Sequence, residues 1–125
     1  MTQRVIKFRA MRDDMNPSWV YGSLLYGGDI PRIQELPLFS LFTTCLKGTE
    51  GQFTGLQDKN GKDVYEGDLL SFPALNKMEN DRKGAPAPAT EVKWEGYQWA
   101  GLILAAHGFE IEVIGNIYEN PELLK

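Results

Sequence analysis

The sequence predicts a mainly β protein, a small barrel or sandwich built from short antiparallel strands. Two observations carry this prediction. Short stretches rich in branched and aromatic residues recur at close spacing, and glycine-containing turns separate them. In addition, little of the chain shows the 3.6-residue apolar period of an amphipathic helix. The strands are therefore expected to form the core.

Composition narrows the class of protein. A chain of 125 residues, 42% hydrophobic and 24% charged, is typical of one globular domain, which we predict over residues 1–125. The net charge of −4 argues against strong non-specific binding to nucleic acid. One cysteine, Cys45, and one histidine, His107, cannot form a disulfide framework or a Cys/His zinc cage within one chain.

The N-terminal stretch "MTQRVIKFRAMRDDM" lacks the apolar segment of a signal peptide. No run approaches the roughly 20 apolar residues that a membrane-spanning helix needs. We therefore expect a cytoplasmic protein with no membrane partner.

The first third of the chain reads as strands. "RVIKFRAM" alternates between apolar and basic residues, and "SWVYGSLLY" is rich in β-forming residues and ends at a turn over residues 27–29. Residues 30–47 are harder to interpret, because Pro31 and Pro37 interrupt helices and central strands alike. "PLFSLFTTCL" fits a buried strand or a short helix, and we favour the strand.

The next two strands are "GQFTGL" and "VYEGDLLSF", joined through "QDKNGKD". The Asn60–Gly61 pair predicts a tight hairpin turn whose two central residues both have positive φ. Residues 73–91 are polar and rich in Pro and Ala, which predicts a flexible loop. This loop is either a tolerated insertion, which we favour, or a binding segment.

The last third predicts two strands around residues 95–96 and one with Phe109, Ile111 and Val113 on its buried face. Asn120 and Pro121 then begin a short C-terminal helix.

The acidic residues between Asp58 and Asp68 suggest three kinds of site. A calcium loop is disfavoured, because the glycine is misplaced for an EF-hand and two lysines interrupt the ligands. A Glu66–Asp68 pair for general acid–base catalysis is the second option. We favour the third, in which the residues form and stabilise turns. The predicted turn residues are Asp58, Asn60, Gly61, Glu66, Gly67 and Asp68.

No complete catalytic set is visible. His107 is followed by Gly108 as in an ordinary turn, and the sequence has no Gly-x-Ser-x-Gly, Walker A or Gly-x-Gly-x-x-Gly motif. We therefore predict no catalytic residue, cofactor or metal, and a non-enzymatic protein.

Nucleic-acid binding is the alternative function. Small barrels bind nucleic acid through aromatic side chains and a basic groove. The candidate contacts are basic residues near the N-terminus and two tryptophans in the last third: Arg4, Lys7, Arg9, Arg12, Trp94 and Trp99. Neighbouring glutamates would repel phosphates, and aromatics at this spacing also fit a protein core.

Three blocks carry a resemblance to a known family. They are "IKFRA" at Ile6–Ala10, "GQFTGLQDKNGKDVYEGD" at Gly51–Asp68 and "VIGNIYENPELL" at Val113–Leu124. In this order they resemble the YopX family, small proteins encoded mainly by bacteriophages and prophages. Met11 stands where family members often carry Trp, so the packing of the first strand is expected to differ.

The resemblance implies an SH3-like small barrel and expression in a bacterial cytoplasm. It brings no catalytic residue, cofactor or substrate. We predict a binding or assembly module that forms a homo-oligomer or binds a phage or host protein. The apolar segments Leu36–Leu46 and Leu102–Ala106 are the expected contact surfaces, because a small barrel does not fully bury such segments.

Overall fold

The computed structural model describes residues 6–14, 18–35, 42–74, 77, 89–95, 99–102 and 108–124. These residues are mainly β-strand, as predicted, and the chain divides into two compact units, Met1–Gly55 and Leu56–Lys125. Within the described part of the chain, no helix is long and apolar enough to cross a membrane.

The first unit contains four strands and the start of a fifth. They are β1 (Phe8–Met11), β2 (Trp19–Gly27), β3 (Ile30–Gln34), β4 (Phe42–Thr44) and β5 (Gly51–Gln57). The sheet order is β4-β3-β2-β1-β5, and β5 runs on into the second unit, where β6 (Asp63–Tyr65) is its neighbour. The pairs β1–β2, β1–β5, β2–β3 and β3–β4 are antiparallel.

The β2–β3 connection is a two-residue hairpin turn. Gly27 pairs with Ile30, so only Gly28 and Asp29 lie between the strands. Gly28 has a φ of 68° and Asp29 has a negative φ, which is the pattern of a type II′ turn. Glycine at the first central position therefore determines this connection.

Pro31 corrects one expectation. It lies inside β3, an internal strand of the sheet, although we predicted that Pro31 would interrupt a central strand. Its carbonyl still accepts a hydrogen bond from the Cys45 N–H, at 3.0 Å. Arg32 with Thr44 is the last β3–β4 pair, so Pro31 lies at the end of this ladder, where its missing N–H interrupts no further pair. Pro37 lies outside the described residues.

Four buried side chains form the core of the first unit: Ala10, Val20, Ile33 and Cys45. Each comes from a different strand or strand end, and Phe8 and Leu24 pack against them. Burial raises the pKa of the Cys45 thiol, which outweighs the opposing effect of a backbone hydrogen bond. The cysteine is thus a core residue with a protonated thiol at neutral pH.

The second unit contains two further sheets. Its remaining strands are β7 (Asp68–Ser71), β8 (Thr90–Glu91), β9 (Lys93–Trp94), β10 (Trp99–Ala100) and β11 (Glu112–Asn116). One sheet has the order β11-β7-β8 and the other pairs β9 with β10. The core residues of this unit are Val64, Leu70, Phe72, Val92, Leu102 and Ile111.

The barrel part of the fold prediction was too specific. In the described residues the strands form three open sheets of six, three and two strands, and no sheet closes into a barrel. The Glu66–Gly67 turn, with φ of 92° at Gly67, leads from β6 in one sheet to β7 in another. The chain therefore passes from one sheet to another at this turn.

The predicted loop at 73–91 lies largely outside the described residues. Residues 73, 74 and 77 are helical and residues 90–91 form β8. At the C-terminus, Pro121–Leu124 form a short 3-10 helix where a one- or two-turn helix was predicted.

Candidate binding face

The sheet of the first unit has an outer face opposite its core. Directly paired residues share a face, and successive residues alternate between faces. Ala10 pairs with Val20 on the core side, so their neighbours Arg9 and Tyr21, which pair with each other, lie on the outer side. The same alternation places Leu25 beside Arg32, and Phe42 beside Gln34, on this outer side.

We call this surface the cationic aromatic face. It combines Lys7, Arg32 and the buried Arg9 with aromatic and aliphatic side chains. Its principal residues are Lys7, Arg9, Trp19, Tyr21, Leu25, Arg32, Phe42 and Phe53. The strands β1 to β5 contain no Asp or Glu.

Two basic residues of the face lie over aromatic rings. The Arg9 guanidinium carbon is 4.2 Å from the centre of the Trp19 ring, and the Lys7 ammonium is 4.6 Å from that of Phe53. Both distances lie within cation–π range. Arg9 is only 4% exposed, so of these two charges that of Lys7 is the more accessible to a partner.

Three exposed apolar side chains distinguish the face from an ordinary surface. Tyr21 and Leu25 are each 47% exposed and Phe42 is 45% exposed. Single exposed apolar residues are normal, whereas several on one side of one sheet indicate a binding surface.

Three acidic residues of the first unit lie outside its strands and form contacts of their own. Asp29 forms an ion pair with Lys47 at 2.8 Å, and Asp14 forms one with Arg12 at 2.6 Å. Glu50 accepts hydrogen bonds from the Tyr26 hydroxyl and the Gly48 N–H. The carboxylates of Asp14, Asp29 and Glu50 are thus engaged outside the strands.

The predicted nucleic-acid residues are only partly brought together. Lys7 and Arg9 lie on the cationic aromatic face, whereas Arg12 pairs with Asp14 and bridges to Cys45. Trp94 is exposed, but it belongs to the second unit, where its backbone pairs with that of Trp99. Arg4 and His107 lie outside the described residues.

Sequence reasoning missed Trp19, Tyr21, Arg32, Phe42 and Phe53 as surface residues. The signal that could have found them is alternation in "WVYGSLL", where positions 19, 21, 23 and 25 share one side of a strand. Which side faces the core depends on pairing with β1 and β3, which the alternation does not specify.

The predicted turn residues occupy two sites in the second unit. Asp58 is buried, and its Oδ1 accepts hydrogen bonds from the N–H groups of Asn60 and Lys62, both at 2.9 Å. Its Oδ2 accepts one from the Val113 N–H at 3.0 Å. Burial alone would raise the pKa of Asp58, but these three bonds, with the Lys62 charge, lower the pKa below its usual value.

The hairpin between β5 and β6 differs from the predicted one. Asp58 and Lys62 enclose a three-residue loop, in which the Asp58 N–H donates to the Lys62 carbonyl and the Gly61 N–H donates to the Asp58 carbonyl. Gly61 has a φ of 80°, but Asn60 does not have a positive φ. This is a type I turn followed by a left-handed glycine, so the two-residue turn was the wrong type.

We expect Gly61→Val to lower the free energy of unfolding by about 1–2 kcal/mol. A Cβ at Gly61 would meet no atom within 4 Å, so the cost comes from the positive φ alone. Gly61→Asn is the matched control and should cost less, because asparagine tolerates this conformation better. Urea denaturation measures both variants, and equal stability of Gly61→Val and wild type would contradict the turn geometry.

The second turn contains the other predicted acidic pair. Asp68 is fully buried, and its Oδ2 accepts a hydrogen bond from the Tyr65 N–H at 2.8 Å. Glu66 is half-buried in the preceding turn. The Asp68 carboxylate therefore accepts a hydrogen bond across the turn at Gly67. The sequence favours this turn role over acid–base catalysis.

The predicted apolar contact segments are described only in part. Leu102 is buried in the core of the second unit, so this residue was wrongly expected on the surface. Residues 36–41 and 103–107 lie outside the described part of the chain. Phe42 and Leu46 are exposed, whereas Cys45 is buried.

A shallow groove of about 330 Å³ lies beside the Asp58 turn. Its lining residues are Leu56, Gln57, Asp58, Lys59, Gly108, Phe109, Glu110 and Ile111. Phe109 is exposed here, although we predicted it on the buried face of a strand. The strand begins only at Glu112, which leaves Phe109 outside the alternation. Among the described residues no three His, Cys, Asp or Glu side chains are grouped to hold a metal ion.

Comparisons with known proteins identify the family. The crystal structure of protein EF1440 from Enterococcus faecalis is similar, with a TM-score of 0.60 and 24% sequence identity over 98% of this chain and 100% of that chain. At this identity the likeness concerns the fold alone. No curated protein matches the chain. A family model described as YopX protein matches residues 7–125, and the chain therefore belongs to the YopX family.

Proposed function

We propose that the protein is a non-enzymatic binding module that holds an anionic partner on its cationic aromatic face. The observation that supports this proposal is the combination of Lys7 and Arg32 with exposed Tyr21, Leu25 and Phe42 along strands β1 to β5, which contain no Asp or Glu. Rigid strands fix these groups relative to one another, which reduces the entropy lost on binding.

Charge is unevenly divided along the chain, which supports an anionic partner. Residues 1–55 contain six Lys or Arg and five Asp or Glu, whereas residues 56–125 contain seven and twelve. A second copy, an acidic phage or host protein, and a nucleic acid all meet the charge requirement. A homo-oligomer is one form that this proposal can take, in which the acidic second unit of one copy would complement the face of another.

Two carboxylates that could serve in catalysis are instead engaged in turns, which supports a non-enzymatic role. Asp58 and Asp68 both accept hydrogen bonds from backbone N–H groups in turns. We also propose that the protein is located in the cytoplasm of a bacterial host and that its strands have an SH3-like arrangement. Both proposals rest on the family resemblance.

Retention on heparin-agarose tests the proposed face. We expect the wild-type protein to bind at low salt despite its net charge of −4, and Lys7→Gln/Arg32→Gln to elute at lower salt. The matched control is Lys59→Gln/Lys62→Gln, which removes the same charge from the second unit and should elute close to wild type. Equal elution of the two double variants would contradict the proposal.

A further inference from the structure

We propose that the cationic aromatic face binds single-stranded nucleic acid, with bases stacked on Tyr21 and Phe42 and phosphates held by Lys7 and Arg32. This inference rests on the proposed function and names the partner class. It differs from the interface considered from the sequence, because its aromatic residues lie on β2 and β4 of the first unit rather than in the last third of the chain.

The exposed rings favour unpaired bases. Tyr21 and Phe42 each expose nearly half of their surface on the outer side of the sheet. Base faces are covered by stacking inside a duplex and are available in a single strand. Stacking needs no particular base, so such a surface would bind with little sequence preference.

The basic residues lie where a sugar–phosphate backbone could follow the rings. Arg9, with its guanidinium over Trp19, pairs directly with Tyr21. On the other side of β2, Arg32 pairs with Leu25, and its guanidinium lies so close to Gly27 that an added Cβ there would be 2.9 Å away. Arg9 is buried and the Arg32 guanidinium lies toward the β2–β3 turn, so Lys7 and Arg32 are the charges available to phosphates.

Charge also argues against two copies meeting through the same face. A symmetric contact would bring Lys7 and Arg32 of one copy against the same basic surface of the other, which is unfavourable. An acidic peptide would satisfy the charges but carries no planar bases to cover Tyr21 and Phe42. A single strand supplies both phosphates and planar rings.

Fluorescence anisotropy with a labelled oligothymidylate at low salt tests the inference. We expect saturable binding, weaker binding to a duplex of the same length, and a roughly 5- to 150-fold loss of affinity for Tyr21→Ser and for Phe42→Ser. Tyr21→Trp should retain affinity. Phe109→Ser removes a ring that is 38% exposed in the second unit and serves as the control that leaves affinity unchanged. Arg32→Gln should reduce the slope of log affinity against log salt by about 1.

Several results would overturn the inference. Absence of oligothymidylate binding at low salt is one, and binding that Tyr21→Ser and Phe42→Ser leave unchanged is another. If heparin retention still depends on Lys7 and Arg32 in either case, the proposed function stands and only the partner class is wrong. Light scattering that shows self-association lost in Tyr21→Ser, without oligothymidylate binding, would identify a second copy as the occupant. Circular dichroism checks that each variant folds. If Tyr21→Ser does not fold, the affinities of Phe42→Ser and Tyr21→Trp for oligothymidylate still test the inference.

Discussion

Gly22→Ala is expected to lower the free energy of unfolding by about 3 kcal/mol or more, enough to unfold a marginally stable domain. Gly22 lies in the middle of β2, where it pairs with Phe8 of β1. A Cβ at this position would be 2.1 Å from the Gln34 carbonyl oxygen and 3.0 Å from the Glu35 Cα. Both are backbone atoms, so relief requires β3 to move away from β2.

Gly27→Ala is the matched control in the same strand. Its added Cβ would meet only the end of the Arg32 side chain, at 2.9 Å, and a flexible side chain can move aside. We expect a cost within about 1 kcal/mol for this variant. Urea denaturation measures both, and a Gly22→Ala midpoint equal to that of wild type would show that β2 and β3 do not approach this closely.

The strands were predictable because short-range pattern determines them. "RVIKFRAM" and "SWVYGSLLY" combine alternation with β-forming residues; β1 lies within the first, and β2 covers the second from Trp19 and ends one residue later, at Gly27. The close approach of Gly22 to the backbone of Gln34 and Glu35 was not predictable, since it depends on how the end of β3 lies against β2. The same holds for Phe109, whose position depends on where β11 begins.

The candidate face was less accessible to sequence reasoning than the turns. Trp94 and Trp99 were predicted as nucleic-acid contacts because they are close in sequence to another aromatic residue. Which side chains lie on one face of a sheet, however, depends on strand register. Tyr21 and Arg9 are neighbours only because β1 pairs with β2 in a particular register. The Asn60–Gly61 pair shows a similar limit, because Asn–Gly fits both a two-residue and a three-residue hairpin loop.

Asp58→Ala is expected to lower the free energy of unfolding by about 3 kcal/mol. The Asp58 side chain, 7% exposed, accepts three backbone hydrogen bonds. Two stabilise its own loop, and the third holds Val113 in β11, 55 residues away. Alanine would leave three N–H donors without this acceptor, and the contact between the loop and β11 would be lost. The control is Asp63→Ala in the same hairpin, which loses one exposed bond to the Gln57 amide and should cost less than about 1 kcal/mol.

The acid dependence of stability separates the charge of Asp58 from its shape. Because the folded protein lowers the pKa of Asp58 relative to the unfolded chain, its contribution is fully present above the unfolded pKa of about 3.9 and is lost as pH falls through the folded pKa. Wild type should therefore lose stability progressively below about pH 5. Asp58→Asn cannot titrate, so its unfolding free energy should fall less over this range, and the gap between the two proteins should narrow with acid. Urea denaturation at each pH measures the difference in unfolding free energy between wild type and Asp58→Asn. If this difference stays constant from pH 6 to the acid limit of folding, Asp58 acts through its shape and not through a charge held by the three N–H groups.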